Sequence, residues 1–242
     1  FKLKRSLLKT ELSSKYSSRL PSFGELYINQ IVAKDLRTEK ALMNEIVLSW
    51  TRKIKRGNWN VQLQVFEGSV TDKIVAIPSK NMFVWSIQNV EKVHVYGADF
   101  FSSIYRKIGS NWLVHLNGSM AWQKAVDNNS ASMNFGDQIA YVPEWTGNAE
   151  ISLRYKSTGV RLAQSYVGSR YSFNENLPFN QIPTYNTFDI GIFSKIKLSL
   201  RNALRIQFTI KNIGNEQYAY VRNFPMPGRN YLISLQYELA KK

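Results

Sequence analysis

Along most of this chain apolar and polar residues change places at every step. From Trp112 one parity reads Trp112, Val114, Leu116, Gly118, Met120, Trp122, and the other Leu113, His115, Asn117, Ser119, Ala121, Gln123. From Phe188 the apolar parity holds Phe188, Ile190, Ile192 and Ile196, against Asp189, Gly191, Phe193, Lys195 and Lys197. Leu204, Ile206, Phe208 and Ile210 likewise oppose Arg205, Gln207, Thr209 and Lys211, and Tyr231 to Leu239 ends the chain in the same rhythm. A period of two marks a strand whose two faces meet different surroundings. About ten such strands are predicted, over 2–17, 40–54, 58–75, 82–106, 111–126, 138–156, 159–173, 184–200, 203–219 and 230–239.

Two features of this pattern point to a membrane. Several strands exceed ten residues, whereas soluble strands average about 5–6 and a membrane strand needs about 9–11. Connections also alternate in length. Short turns at Lys55–Asn58, Lys107–Ser110, Lys156–Gly159 and Leu200–Ala203 alternate with long links at 18–39, 76–81, 127–137, 174–183 and 220–229. Short turns at one rim and long loops at the other are the organisation of outer-membrane barrels. Trp50, Trp59, Tyr105, Trp112 and Tyr155 lie beside short turns. Phe83, Trp85, Trp122, Tyr141, Trp145 and Tyr166 lie toward the long links, so two aromatic belts are expected. The other reading of these aromatics is the core of a soluble β-protein.

Composition narrows the picture. The 242 residues suit one all-β unit, and the apolar share of 44% supports a large buried surface. No apolar run approaches the roughly 20 residues of a spanning helix. With no cysteine, disulfides and thiolate metal sites are excluded. The chain starts at Phe1 inside a strand-like pattern, without an initiator Met, and is expected to be one piece of a larger protein.

The formal charge of +15 asks for a partner or for water. Arg154, Lys156, Arg161, Lys195, Lys197 and Arg205 share the polar parity of their strands near short turns, and are expected to face the lumen of a barrel. There they meet either an acidic partner filling the lumen or the water of a porin-like channel. Arg52, Lys53, Lys55, Arg56, Arg106 and Lys107 sit in or beside the turns and are expected to meet water or headgroups. Basic residues are not interleaved with aromatics on one exposed face, which argues against nucleic acid.

Catalytic chemistry is not evident. The two histidines, His94 and His115, stand apart within strands, and no nucleophile elbow, phosphate loop or His-Glu-x-x-His pattern occurs. Neither an enzyme nor a resident cofactor or metal is expected.

Three stretches together resemble the C-terminal half of a TonB-dependent outer-membrane receptor. Ser18-Arg-Leu-Pro-Ser-Phe-Gly-Glu-Leu-Tyr27 with Asp35-Leu-Arg-Thr-Glu39 is similar to the family's R-x-P-S-x-x-E-L-Y strand and the loop after it. Asn89 to Gly97-Ala-Asp99 is similar to N-x-x-x-x-x-x-x-G-x-E, and Lys211-Asn-Ile-Gly-Asn-Glu-Gln-Tyr218 through Pro225-Met-Pro-Gly-Arg229 to N-L-x-x-x-x-Y … P-x-P-G-R before a closing strand. Asp72 to Ser86 further resembles Bacteroidetes receptors of the vitamin B12 (cobalamin) type.

The resemblance implies an all-β transmembrane antiparallel barrel in the outer membrane of a Gram-negative bacterium. Residues 1–242 would supply about the last ten strands of a plugged barrel of about 22. The implied partners are the remaining N-terminal strands and plug domain, TonB–ExbB–ExbD acting through the plug, lipid and lipopolysaccharide, and a surface lipoprotein lid. The implied activity is energised uptake of a scarce large ligand, cobalamin or a related corrinoid first, with iron–siderophore or haem uptake and a passive porin-like barrel as alternatives. Expected ligand-binding loop residues are Tyr27, Asn29, Trp85, Asn134, Phe135, Tyr171, Phe173, Asn174, Phe179, Tyr220 and Arg222, which offer stacking and hydrogen bonds. The lumen Arg/Lys set would meet the plug.

Overall fold

The computed structural model describes residues 2–3, 6–28, 31–32, 36–78, 85–199 and 202–239. Ten long strands follow in chain order: β1 (Ser6–Arg19), β2 (Glu39–Ile54), β3 (Gly57–Pro78), β4 (Trp85–Ile108), β5 (Trp112–Asp127), β6 (Trp145–Tyr155), β7 (Thr158–Val167), β8 (Tyr185–Lys197), β9 (Asn202–Lys211) and β10 (Asn230–Leu239). Each pairs antiparallel with the next, in one sheet whose order is the chain order. Two-residue turns at 55–56 and 156–157 place Arg56 and Lys156 in the left-handed region, at φ 60° and 52°. Long connections occupy the opposite rim, as the spacing predicts.

The faces are inverted relative to a soluble protein. Register puts Leu48, Leu63, Phe100 and Met120 side by side on one face, and Leu153, Val160, Ile192 and Ile206 on the same face further along the sheet. Most of these side chains are exposed, as are Leu12 at 75% and Ile233 at 68%. The concave face carries Ser49, Gln62, Gln64, Asp99, Asn117, Ser119 and Gln207. A continuous exposed apolar convex face with a polar concave face suits only an apolar solvent outside.

Aromatic pairs mark both limits of the apolar band. Trp50–Trp59 (ring centroids 5.2 Å apart) and Trp112–Tyr155 (4.8 Å) lie at the short-turn end; Tyr96–Trp122 (5.8 Å) and Trp122–Trp145 (6.3 Å) lie at the other. Ten residues separate Trp112 from Trp122, roughly 33 Å of strand, or about 25 Å of height at outer-membrane tilt. Two expected belt members belong elsewhere. Tyr105 pairs with His115 on the concave face, and Tyr141 lies in a loop. Trp85 opens β4 opposite Pro78, while Phe83 lies outside the described residues.

Three strand expectations are shortened. The strand expected over 138–156 begins at Trp145, because Tyr141 takes φ 62° and Pro143 has no N–H for the ladder. The strand expected over 159–173 ends at Val167, and that over 203–219 at Lys211, where Asn212 turns left-handed at φ 50°. Asp72 does the same inside β3, at φ 55°. Beyond it Val75 and Val90 join Val70, Val93 and Ala125 in one buried cluster, so the inward parity reverses there. Ile139 and Ala140 fold in from the link after β5 to complete that cluster.

Leu63→Arg, at mid-height on the convex face, is expected to cost about 2–4 kcal/mol of folding stability in lipid. Gln62→Arg, its neighbour on the concave face, should cost much less. Urea titration of the refolded barrel in liposomes measures both; equal costs would overturn the assignment of faces.

Candidate functional site

Two places gather the polar chemistry. The first lies on the concave face at the short-turn rim. Arg154, Lys156, Lys195, Lys197 and Arg205 line a cavity of about 1080 Å³, with Tyr105, Leu113, His115 and Phe193. Alternation brings them together: Lys195 pairs directly with Arg205, and Leu113 with Arg154. The carboxylate here is Glu238 of β10, ion-paired with Lys195 and lying 3.2 Å from Arg205. Arg161 sits higher on the wall, paired at 2.9 Å with Glu150. Among the described residues Arg154 and Lys197 have no carboxylate partner, so this basin stays strongly positive. Five of the six lumen cations expected from sequence parity line this cavity, all but Arg161; His115 and Tyr105 were readable by the same parity.

The second place is the loop rim, where the three motif stretches prove to be staples. Arg19 donates to Glu25 at 3.0 and 3.1 Å and to Glu39 at 3.3 Å, closing the base of the link between β1 and β2. The Asn89 side chain accepts from the Arg37 N–H at 2.8 Å and donates to the carbonyls of Arg37 and Asp72 at 3.1 and 2.7 Å. Gly97 is required because a Cβ there would collide with the Phe66 ring and the Trp122 carbonyl. Asn212 is buried: its N–H donates to Asp189, and its side chain exchanges two 2.9 Å bonds with the Glu216 backbone. Asn215 accepts from the Arg229 N–H at 2.8 Å, across a Gly228 on which a Cβ would strike the Asn215 side chain.

Further bonds lock the later loops to one another. Asn174 accepts from the Ala140 N–H at 2.9 Å, Asn176 exchanges 2.7 and 2.9 Å bonds with the Gln138 backbone, and Tyr141 N–H donates to Tyr171 O at 2.7 Å. Arg170, only 4% exposed, donates to the carbonyls of Ala219 and Tyr220, and its guanidinium lies over Tyr185 at 5.8 Å. Burial pulls the Arg170 guanidinium below its ordinary range, opposed by the phenols of Tyr185, Tyr141 and Tyr220. Arg222 donates to Ser172 at 3.4 Å in the reverse direction.

The expected ligand residues divide accordingly. Asn134, Phe173, Asn174 and Phe179 line one cavity of about 380 Å³ with Gln88, Glu175 and Asn180. Of these, Asn174 is committed to Ala140 and Phe173 packs on the buried cluster, leaving Asn134 and the exposed Phe179 as its available edge. Tyr27, Phe135 and Tyr220 are exposed elsewhere on the loops, with Tyr27 against Phe23 at 4.9 Å. Tyr171 and Arg222 serve the loop stitching, and Asn29 lies outside the described residues. Gln88, Arg170 and Asn180 were missed; only the folding of the loops brings them to this rim. Among the described residues no group of three His, Asp or Glu could hold a metal ion.

A long-stranded wall with an apolar exterior, a polar concave face and stapled loops on one rim is part of a large transmembrane β-barrel. The chain belongs to the family described as "TonB dependent receptor-like, beta-barrel", whose model matches residues 12–213. Solved structures agree in fold. A copper transporter, OprC, is 12% identical with a TM-score of 0.70 over 98% of this chain and 38% of its own. The ferric-catecholate import receptor Fiu from E. coli K12 is 17% identical at 0.65, over 96% and 33%. The FrpB iron transporter from Neisseria meningitidis is 16% identical at 0.61, over 96% and 37%. The chain thus spans about a third of the length of these solved relatives. No curated protein matches.

Asn212→Ala removes the two hydrogen bonds that this buried side chain makes to the Glu216 backbone, and is expected to cost about 2–3 kcal/mol locally. Limited proteolysis should cut within 212–229 faster in the variant, while heat-modifiable migration of the barrel persists. Unchanged cleavage would show that the Asn212 staple does not hold this loop.

Proposed function

We propose that this chain is the C-terminal wall of a receptor that takes up a scarce, metal-bearing ligand across the outer membrane of a Gram-negative bacterium, energised by TonB–ExbB–ExbD. The supporting observation is the basic concave basin around Arg154, Lys197 and Arg205, facing inward on a wall whose exterior suits lipid. Uncompensated charge beside an apolar membrane needs an opposite charge or bulk water. A plug domain with an acidic face answers that need, and closing strands would cover the exposed edges of β1 and β10. Lipid and lipopolysaccharide would surround the apolar band, and a surface lipoprotein would cap the loop rim.

For the ligand, the Asp72 to Ser86 resemblance favours a corrinoid. The likeness to receptors and transporters named for iron, ferric catecholate and copper favours an iron chelate as the second reading. Both are bulky metal complexes, for which Phe179 and Asn134 at the loop cavity offer stacking and hydrogen-bonding edges. The barrel itself does no covalent chemistry in this reading. It positions loops and plug around a ligand that no passive pore would concentrate.

Cells producing the full-length receptor should bind one of cyanocobalamin, a ferric catecholate or haem with submicromolar affinity, and accumulate it only while the proton-motive force is intact. Accumulation that survives a protonophore would identify a passive barrel instead. Separately, the triple change Arg154→Gln, Lys197→Gln, Arg205→Gln should loosen the plug, seen as new ion conductance in planar bilayers. A triple variant as closed as the parent would sink the plug-contact role.

A further inference from the structure

The basic residues that face away from the lumen form a second, separate site. On the convex face Arg52 pairs with Trp59, and Gly57, two residues from Trp59, pairs with Arg106. Neighbouring strands lie about 4.8 Å apart, so the two arginine backbones stand about 10 Å apart across β3. Both side chains are long enough to converge on the turn side of the Trp59 indole, whose ring reaches toward the apolar band. That indole is held in place: Trp59 Nε1 donates to Ser102 Oγ at 3.0 Å, and its ring meets Trp50 edge-on at 5.2 Å. The two turns below are tied together, with Arg56 donating to Gly109 O at 2.9 Å and the Lys107 N–H donating to Arg56 O at 2.9 Å.

Arg52 and Arg106 are exposed, and among the described residues neither has an ion-pair partner. Among the described residues the carboxylate on the convex face of β2–β4 is Glu67, which is occupied by His94 at 3.0 Å. It lies eight residues from Trp59 along β3, roughly 26 Å away and beyond the screening length of physiological salt, about 8 Å. Two fixed cations flanking a girdle tryptophan, just outside an apolar band, occupy the level of lipid phosphates.

We propose that Arg52, Trp59 and Arg106 form a binding site for the headgroup of an anionic phospholipid in the leaflet at the short-turn rim. The two guanidinium forks hold the phosphodiester, the indole packs on the glycerol, and the acyl chains run along Val61, Leu63 and Ile104. The site selects lipids whose phosphate carries no amine of its own, such as phosphatidylglycerol. A zwitterionic headgroup brings a cation that competes with both arginines. Lys55, exposed in the turn, adds to the local positive potential. The inference rests on the barrel fold alone and is independent of the transported ligand.

The test uses the full-length receptor in mild detergent, incubated with equimolar phosphatidylglycerol and phosphatidylcholine of matched chains, with retained lipid read by native mass spectrometry. The receptor should keep phosphatidylglycerol over phosphatidylcholine by about fivefold or more, the worth of one surface cation near an anionic headgroup. Arg52→Gln with Arg106→Gln should bring that ratio close to one, while Lys53→Gln, on the concave face of the same strand, should leave it intact. Equal retention of the two lipids by the unmodified receptor overturns the proposal without any variant. So does an undiminished preference in the double variant.

Discussion

In hydrocarbon no water is available to satisfy a backbone N–H or C=O, and each unsatisfied group costs several kcal/mol. The rest of this structure depends on that constraint. It explains why strands as long as the 24 residues of β4 remain in register without a break through the band, and why each has a neighbour in chain order. It also makes the two edges the most demanding places in the molecule. β10 offers one edge of its ladder to β9, and among the described residues its other edge is unpaired over ten residues. Several orphaned groups at that cost would exceed the 5–15 kcal/mol by which a domain is ordinarily stable. A wall of this kind holds in a membrane only with further strands on both edges.

The same constraint divides the molecule into a regular part and an irregular part. Between the aromatic belts alternation is strict and deviations are few. Above the upper belt water returns, and the backbone is free to turn left-handed at Asp72, fold inward at 138–142 and turn at Asn212. These departures are held by side-chain amides: Asn89, Asn174, Asn176 and Asn215 bond to backbone groups of another segment, and Asn212 to the Glu216 backbone across its own turn. An amide presents both donor and acceptor, so it imitates a peptide group and continues a ladder that the backbone has left. The motif residues that mark the family therefore do structural work at the loop bases and leave the loop tips free to vary.

This explains what the sequence disclosed and what it withheld. The period of two is set locally by which face each residue must show, so ten strands, three short turns and the inward set of cations were readable, while the expected turn at 200–203 includes residues outside those described. Parity fails where one residue adopts a left-handed φ, and nothing in the letters of Asp72 or Tyr141 announces that conformation. The segment Gln138 to Val142 looks like a strand, yet only Gln138 bridges to Val126 before the chain turns at Ala140 and Tyr141. Its inward course depends on Asn174 and Asn176, more than thirty residues later in the chain. Arg170 could not be found for the same reason, since its partners are carbonyls of a distant loop. The loop residues expected to bind a ligand sit on that irregular rim, where pattern carries least information.

The excess positive charge, finally, is better understood as an asymmetry than as a total. At the short-turn rim Arg154, Lys195, Lys197 and Arg205 point inward, and Arg52 and Arg106 outward, with Glu238 the neighbouring carboxylate. At the loop rim three cations are answered by carboxylates, Arg19 by Glu25 and Glu39, Arg37 by Asp72 and Lys124 by Glu144, while Arg170 and Arg229 are held by backbone carbonyls. A sheet only one residue thick thus presents two cationic surfaces at the same height, separated by the backbone. The inward one faces the lumen and the outward one the convex surroundings, so a single alternating pattern can answer two separate anionic partners, the plug and the lipid proposed above. Alternation alone achieves this, because adjacent residues in a strand are the one place where neighbours in sequence belong to different environments.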